Sequence, residues 1–139
     1  ERVGFVAALA TIEIISREKV WEHLIKIGDQ IGNGWLALAK KHDLKLSITD
    51  FKPLITMKLH YGIRNQALVT LFIQEMLKRG YLAAPSVYVS YAHNENIVHE
   101  YLKAVDECFL ILNKAIQDNS ENSLLETRPR SDSFNRITP

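Results

Sequence analysis

Leu44-Lys45-Leu46-Ser47-Ile48-Thr49-Asp50-Phe51-Lys52-Pro53-Leu54-Ile55-Thr56-Met57-Lys58-Leu59-His60-Tyr61 decides the fold, because here the spacing of apolar residues changes from helical to alternating. Leu44, Leu46 and Ile48 fall on one side of an extended chain, and Lys45, Ser47 and Thr49 on the other. After the break at Pro53, Ile55, Met57, Leu59 and Tyr61 alternate with Thr56, Lys58 and His60. This predicts two strands of a small sheet with one apolar and one solvated face. A parallel crossover needs far more chain than Asp50 to Pro53 supplies, so the two strands are expected to pair antiparallel.

Upstream the period is helical. Val20, Leu24, Ile27, Ile31, Trp35 and Leu38 recur at intervals of three or four, which predicts one apolar stripe on a helix reaching about His42. Ser16 is expected to cap this helix, or a kinked continuation, with Arg17, Glu18 and Lys19 in its first turn. Gly28, Gly32 and Gly34 each cost about 1 kcal/mol relative to alanine inside a helix. Close approach of another element would compensate them; a fray or kink near Asn33 is the competing account. Further upstream, Val3 to Ile15 is apolar or small apart from Thr11 and Glu13, and such a helix needs burial on most sides. A 139-residue domain has little material to cover it, so this helix is expected to pack against something outside the chain. The absence of an initiator Met before Glu1 points the same way, to a chain that begins inside a longer one.

Downstream, Asn65 is expected to cap a helix carrying Leu68, Phe72 and Met76, with Gly80 closing it. Pro85-Ser86 opens a third short strand in which Val87, Val89 and Tyr91 alternate with Tyr88 and Ser90. The last helix starts near Asn94 and follows Val98, Tyr101, Val105, Phe109, Leu112 and Ile116. After Asn119 the chain turns polar and reads as a flexible tail. Within it, Thr127-Arg128-Pro129-Arg130-Ser131 has the look of a phosphorylation or docking segment, although such strings are common by chance. The fold class is therefore α+β, a small antiparallel or mixed three-stranded sheet packed against helices with a long N-terminal helical segment.

Composition narrows the function. With 47% hydrophobic and 24% charged residues the chain is an ordinary globular domain, and its net charge of +1 provides no field to gather nucleic acid or an anionic membrane. No apolar run reaches the roughly 18–20 residues of a spanning helix. Cys108, the single cysteine, cannot form an internal disulfide, which fits a reducing, cytoplasmic compartment. It falls on the apolar stripe of the last helix and reads as a small buried hydrophobe. Five histidines, His23, His42, His60, His93 and His99, show no zinc-site spacing. Gly28, Gly32 and Gly34 lack the Lys-Ser/Thr of a phosphate loop, and no Gly-x-Ser-x-Gly elbow occurs.

The most informative segment is Leu71-Phe72-Ile73-Gln74-Glu75-Met76-Leu77-Lys78-Arg79-Gly80-Tyr81-Leu82-Ala83, followed by Pro85-Ser86 and Ser90-Tyr91-Ala92-His93. It resembles the C-terminal small domain of class III pyridoxal-phosphate aminotransferases, with the glutamate semialdehyde aminomutase branch the nearest. Ala7-Ala8-Leu9-Ala10-Thr11-Ile12-Glu13 is similar to the helix that leaves the large domain in that family, and the order of elements agrees. The resemblance covers about 5–115. One departure is Val87-Tyr88-Val89 running directly into Ser90, where the aminomutase pattern has an aromatic-acid pair and a longer stretch. This favours a related transaminase over an aminomutase.

The resemblance implies three parts: 1–16 as a linker helix from a large domain, 17–118 as the small domain, and 119–139 as the tail. It also implies a parent enzyme that binds pyridoxal phosphate mainly through that large domain and works as a homodimer. The cofactor's lysine would lie upstream, since Lys58 on a strand and Lys78 on a polar helix face read as solvated charges. The chain would supply a wall of the active-site cleft, with Ser86, Tyr88, Ser90 and His93 nearest to it. A plainer reading weighs more for each residue: Ser86 caps a turn, Tyr88 and Ser90 face solvent, and His93 holds the start of the last helix. Two other classes compete. A stand-alone α+β ligand-binding or dimerisation module would need a polar first helix, and a small hydrolase would need Ser86 or Ser90 beside a histidine in a cleft.

Overall fold

The computed structural model of the chain describes residues 1–131. Two helices, α1 (Val3–Arg17) and α2 (Val20–Lys41), precede strands β1 (Leu46–Ile48) and β2 (Leu54–Leu59). A 3-10 turn at Gly62–Arg64 leads into α3 (Asn65–Lys78), followed by β3 (Ser86–Tyr88) and α4 (Glu95–Asp118). The sheet has the order β1-β2-β3 and both pairings are antiparallel. Leu46 stands opposite Leu59 and Ile48 opposite Met57, while Thr56 stands opposite Ser86.

This register realises the alternation of the sequence. Ile55, Met57 and Leu59 are buried beneath the helices, whereas Lys58 and His60 point outward and are exposed. The core closes where α2, α3 and α4 meet over that apolar face. Trp35, Phe72, Phe109, Ile55, Leu68 and Met76 are among its fully buried side chains. Phe72 and Phe109 meet at a centroid separation of 6.1 Å, within the range for favourable ring pairs. Cys108 lies in this core, and burial pushes its thiol up to about 11, so it behaves as a small hydrophobe.

The glycines of α2 serve close approach, and the helix runs unbroken past Asn33. A Cβ on Gly28 would overlap the carbonyl oxygen of Lys52, one on Gly32 would press on Ile48 and Ile55, and one on Gly34 on Leu102. The β1–β2 turn and α4 thus pack directly on helix backbone.

Local signals at the helix starts differ from expectation. Ser16 lies inside α1, and the break comes three residues later, where Lys19 adopts a left-handed conformation at φ 48°. No small residue marks that turn. Asn65 does not cap α3; its Oδ1 accepts from the N–H of Tyr61 at 2.7 Å and so holds the preceding 3-10 turn. Asn94 is the N-cap of α4, accepting from Ile97 N–H at 3.0 Å, and Gly80 follows α3 at φ 85°. The third strand is shorter than its alternation predicts, since beyond Tyr88 the chain leaves the sheet for the turn that starts α4.

Two segments stand out. None of the residues of α1 is buried, and Val3, Phe5, Val6, Leu9 and Ile12 are all more than half exposed. The predicted apolar helix is present, and its surface is uncovered within this chain. The segment after Asn119, read from composition as a flexible tail, is anchored along α3 as far as Arg130. Arg64 forks onto the buried Glu121, with Nε to Oε1 at 2.5 Å and a second nitrogen to Oε2 at 2.6 Å. Gln74 brackets the backbone of Leu124 and Glu126, and Arg130 N–H donates to Thr70 Oγ1 at 2.9 Å. Composition misses this because a few long-range polar contacts, each with a partner far away in sequence, do the anchoring. Residues 132–139 of the expected tail lie outside the described residues. Among the described residues no helix is long and apolar enough to cross a membrane.

Candidate functional site

The connection from α3 to α4 carries all four residues singled out from sequence. Pro85 and Val89 pin its strand to β2, the first by accepting from Met57 N–H at 2.8 Å and the second by donating to Pro53 O at 3.0 Å. Ser86 is half-buried, and its hydroxyl meets that of Thr56 directly across the pairing at 2.8 Å. Tyr88 stands out from the strand at 76% exposure. An open cleft of about 690 Å³ lies beside this strand, lined by Thr56, Leu82, Ala84, Pro85, Ser86, Val87, Tyr88, His93 and Arg130.

The cleft therefore brings together Ser86, Tyr88 and His93 but leaves out Ser90. Ser90 is exposed in the turn before α4, where its N–H donates to His93 Nδ1 at 2.9 Å and its hydroxyl lies 3.0 Å from the same nitrogen. An N–H can donate only to an unprotonated nitrogen, so the neutral His93 ring carries its proton on Nε2. His93 N–H in turn donates to Ser90 O at 3.1 Å, and its own carbonyl accepts from His23 Nε2 at 2.8 Å. His23 also meets the edge of Tyr91 at 5.0 Å. The loop is thus clasped to α2 through the His93 carbonyl, one residue before the Asn94 cap of α4.

The serine beside a histidine does not make a hydrolytic site. Nδ1 is already engaged by a backbone N–H three residues away, Ser90 lies outside the cleft, and among the described residues no carboxylate orients the ring. What the cleft offers is hydroxyl and imidazole groups for hydrogen bonding, an aromatic face and one guanidinium. Two contributors in and around the cleft are absent from the sequence reading. His23 sits between Val20 and Ile27 on the stripe of α2, so its inward position is visible in the spacing, but its partner 70 residues on is not. Arg130 falls within the string read as a docking segment, and only the anchoring of that segment carries it to the cleft.

No family model matches the chain. Among solved structures, the PLP internal aldimine form of the FumI protein of Sphingopyxis sp. MTA144 matches with a TM-score of 0.72 at 24% sequence identity. The match takes in 89% of this chain and 30% of that one, so this chain spans less than a third of the neighbour's length. The likeness establishes a shared fold.

Proposed function

We propose that this chain is the C-terminal small domain of a class III pyridoxal-phosphate-dependent aminotransferase, related to the glutamate semialdehyde aminomutases, and that it lines the active-site cleft without being catalytic alone. The observation that carries this reading is the fold match, which takes in nearly all of this chain but under a third of a PLP-bound protein. The signature around Pro85-Ser86 and Ser90-Tyr91-Ala92-His93 supports it, since Pro85, Ser86 and His93 of that stretch line an open cleft. The uncovered apolar surface of α1 supports it as well, since a linker helix would be covered by a large domain of the same enzyme. A homodimeric parent follows from the family.

In this reading pyridoxal phosphate is held mainly by the large domain of the parent enzyme. That cofactor would be held through a lysine and would supply an electron sink. No lysine lines the cleft; Lys58 is exposed on the sheet, and Lys78 pairs with Glu75 at 2.9 Å and Glu126 at 2.8 Å. The chain's own part is to bind and orient. Ser86 and His93 would offer hydrogen bonds to a substrate, and Tyr88 an aromatic wall.

Mixing the purified chain with pyridoxal phosphate, reducing with borohydride and mapping the labelled lysines tests the division of labour. Weak labelling spread over surface lysines is the expected result. Near-stoichiometric labelling of one lysine would mean a cofactor site within these residues and would overturn the reading. In the longer enzyme, His93→Ala is expected to lower kcat/KM about tenfold per folded protein if the wall touches substrate. A loss of stability with unchanged kinetics would leave His93 a purely structural residue.

A further inference from the structure

The outer edge of β3 is open, and the register fixes which groups it offers. Pro85 accepts from Met57 N–H and Val89 donates to Pro53 O, so residues 85, 87 and 89 turn their backbone groups toward β2. Alternation along the strand then turns the N–H and C=O of Ser86 and Tyr88 the other way, and among the described residues nothing bonds to them. An unpaired edge is a template for another strand unless charge blocks it. The edge of β1 is flanked by Lys45 and Asp50. Around β3, by contrast, no lysine, arginine or carboxylate occurs between Arg79 and Glu95, and Leu82 and Tyr88 are 95% and 76% exposed.

A strand added there lays alternate side chains into two different places. Val87 pairs with the buried Ile55 on the helix side of the sheet, so the residue opposite Val87 faces the helices too. On that side lies a pocket of about 180 Å³ walled by Val87, Leu82, Ile97 and Val98, together with the rings of Tyr81 and Tyr101. A cavity of about 150 Å³ holds a benzene ring, so one leucine- or phenylalanine-sized side chain fits. The residues on either side of it face outward with Ser86 and Tyr88, into the open cleft. Arg130 lines both that cleft and the adjoining groove of Lys58 and His60 on the outer sheet face, and no carboxylate lines either. Its guanidinium has no ion-pair partner among the described residues.

We propose that the β3 edge docks an extended peptide segment of another protein, added as a fourth strand with an apolar side chain opposite Val87 and an acidic one opposite Ser86, facing Arg130. Main-chain bonds to Ser86 and Tyr88 supply the attachment; the pocket and the guanidinium supply the selectivity. A second copy of this chain fits less well, because its own β3 brings no carboxylate to Arg130. The site is built from this chain alone and stands apart from the aminotransferase reading.

The probe is the peptide acetyl-Thr-Val-Leu-Glu-Thr-amide, titrated into the ¹⁵N-labelled full chain. Antiparallel addition sets its Val, Leu and Glu opposite Tyr88, Val87 and Ser86, and the amide resonances of Ser86 and Tyr88 should shift saturably with a Kd on the order of 1 mM. Methylating the peptide nitrogen of its Glu removes the donor to Ser86 C=O and should weaken binding about tenfold. Methylating that of its Leu, which points away from β3, should cost less than about threefold. Replacing the peptide's Glu by Gln should weaken binding about threefold at low salt, and Arg130→Gln should erase that difference. No shift at Ser86 and Tyr88, equal losses from the two methylations, or a Glu-to-Gln difference that survives Arg130→Gln would overturn the proposal. Shifts at the same amides that grow with protein concentration without peptide would overturn it as well, by giving the edge to a second copy.

Discussion

Gly28 has no room for a side chain, because the carbonyl carbon of Lys52 would lie 2.7 Å from its Cβ and the carbonyl oxygen nearer still. Backbone cannot rotate away as a side chain can, so Gly28→Ala must push the β1–β2 turn off α2. Helix propensity returns about 1 kcal/mol, and a net loss of about 2 kcal/mol is expected, the usual scale of overpacking. Gly34 is the internal comparison. Its Cβ would meet the side chain of Leu102, the two methyls at 2.5 and 2.7 Å and Cγ at 3.1 Å, and a leucine can change rotamer. Gly34→Ala should therefore fall within about 1 kcal/mol of the parent chain. Urea midpoints of the two variants check the ordering; equal midpoints would show that the close contact at Lys52 carries no energy.

At the scale of elements, α1 is an apolar helix that contributes no buried residue to the core. Its residues are uncovered, and it leaves the domain through the left-handed turn at Lys19. Replacing Phe5, Leu9 and Ile12 with glutamate should change thermal stability by no more than the about 0.5 kcal/mol usual for surface positions. The same variant should reduce self-association, since contiguous exposed apolar surface drives it. Sedimentation velocity and a melt together check this. A large loss of stability would mean that α1 contributes to the core after all. The opposite lesson comes from 120–130, a polar string that is held along α3 through Arg64–Glu121, Gln74 and Thr70.

For the whole molecule, the carboxylates that join elements set the response to acid. Glu121 is held below its usual range by the hydrogen bonds of Arg64, and Asp106 of α4 by those of Lys41 and His42 from α2. Burial alone would raise Glu75, but hydrogen bonds from Lys78, Gln74 and Arg79 outweigh it and lower it too. Each of these groups binds fewer protons folded than unfolded. Their stabilisation is therefore present above the ordinary carboxylate value of about 4 and is lost as pH falls through the lowered folded values. Melting temperatures recorded from pH 7 to pH 2 should fall most steeply below about pH 4. Glu121→Gln should lower the midpoint at pH 7 and flatten the acid limb; an acid limb as steep as the parent's would remove Glu121 from this account.

The sequence by itself determined the class of fold, because periodicity is a local property. The stripe of α2, the alternation of β2 and the stripe of α4 each follow from which residues can share a face, and each face is buried as the spacing requires. It also singled out the connection from α3 to α4, through a resemblance carried by a few residues. Only the tertiary structure decided what depends on partners distant in the chain. It gave Gly28 its reason in Lys52, anchored the tail on Arg64, and set Ser90 outside the cleft that Ser86, Tyr88 and His93 line. Those outcomes rest on contacts across some 20 to 70 residues, and no local pattern of hydrophobicity encodes which distant group will arrive.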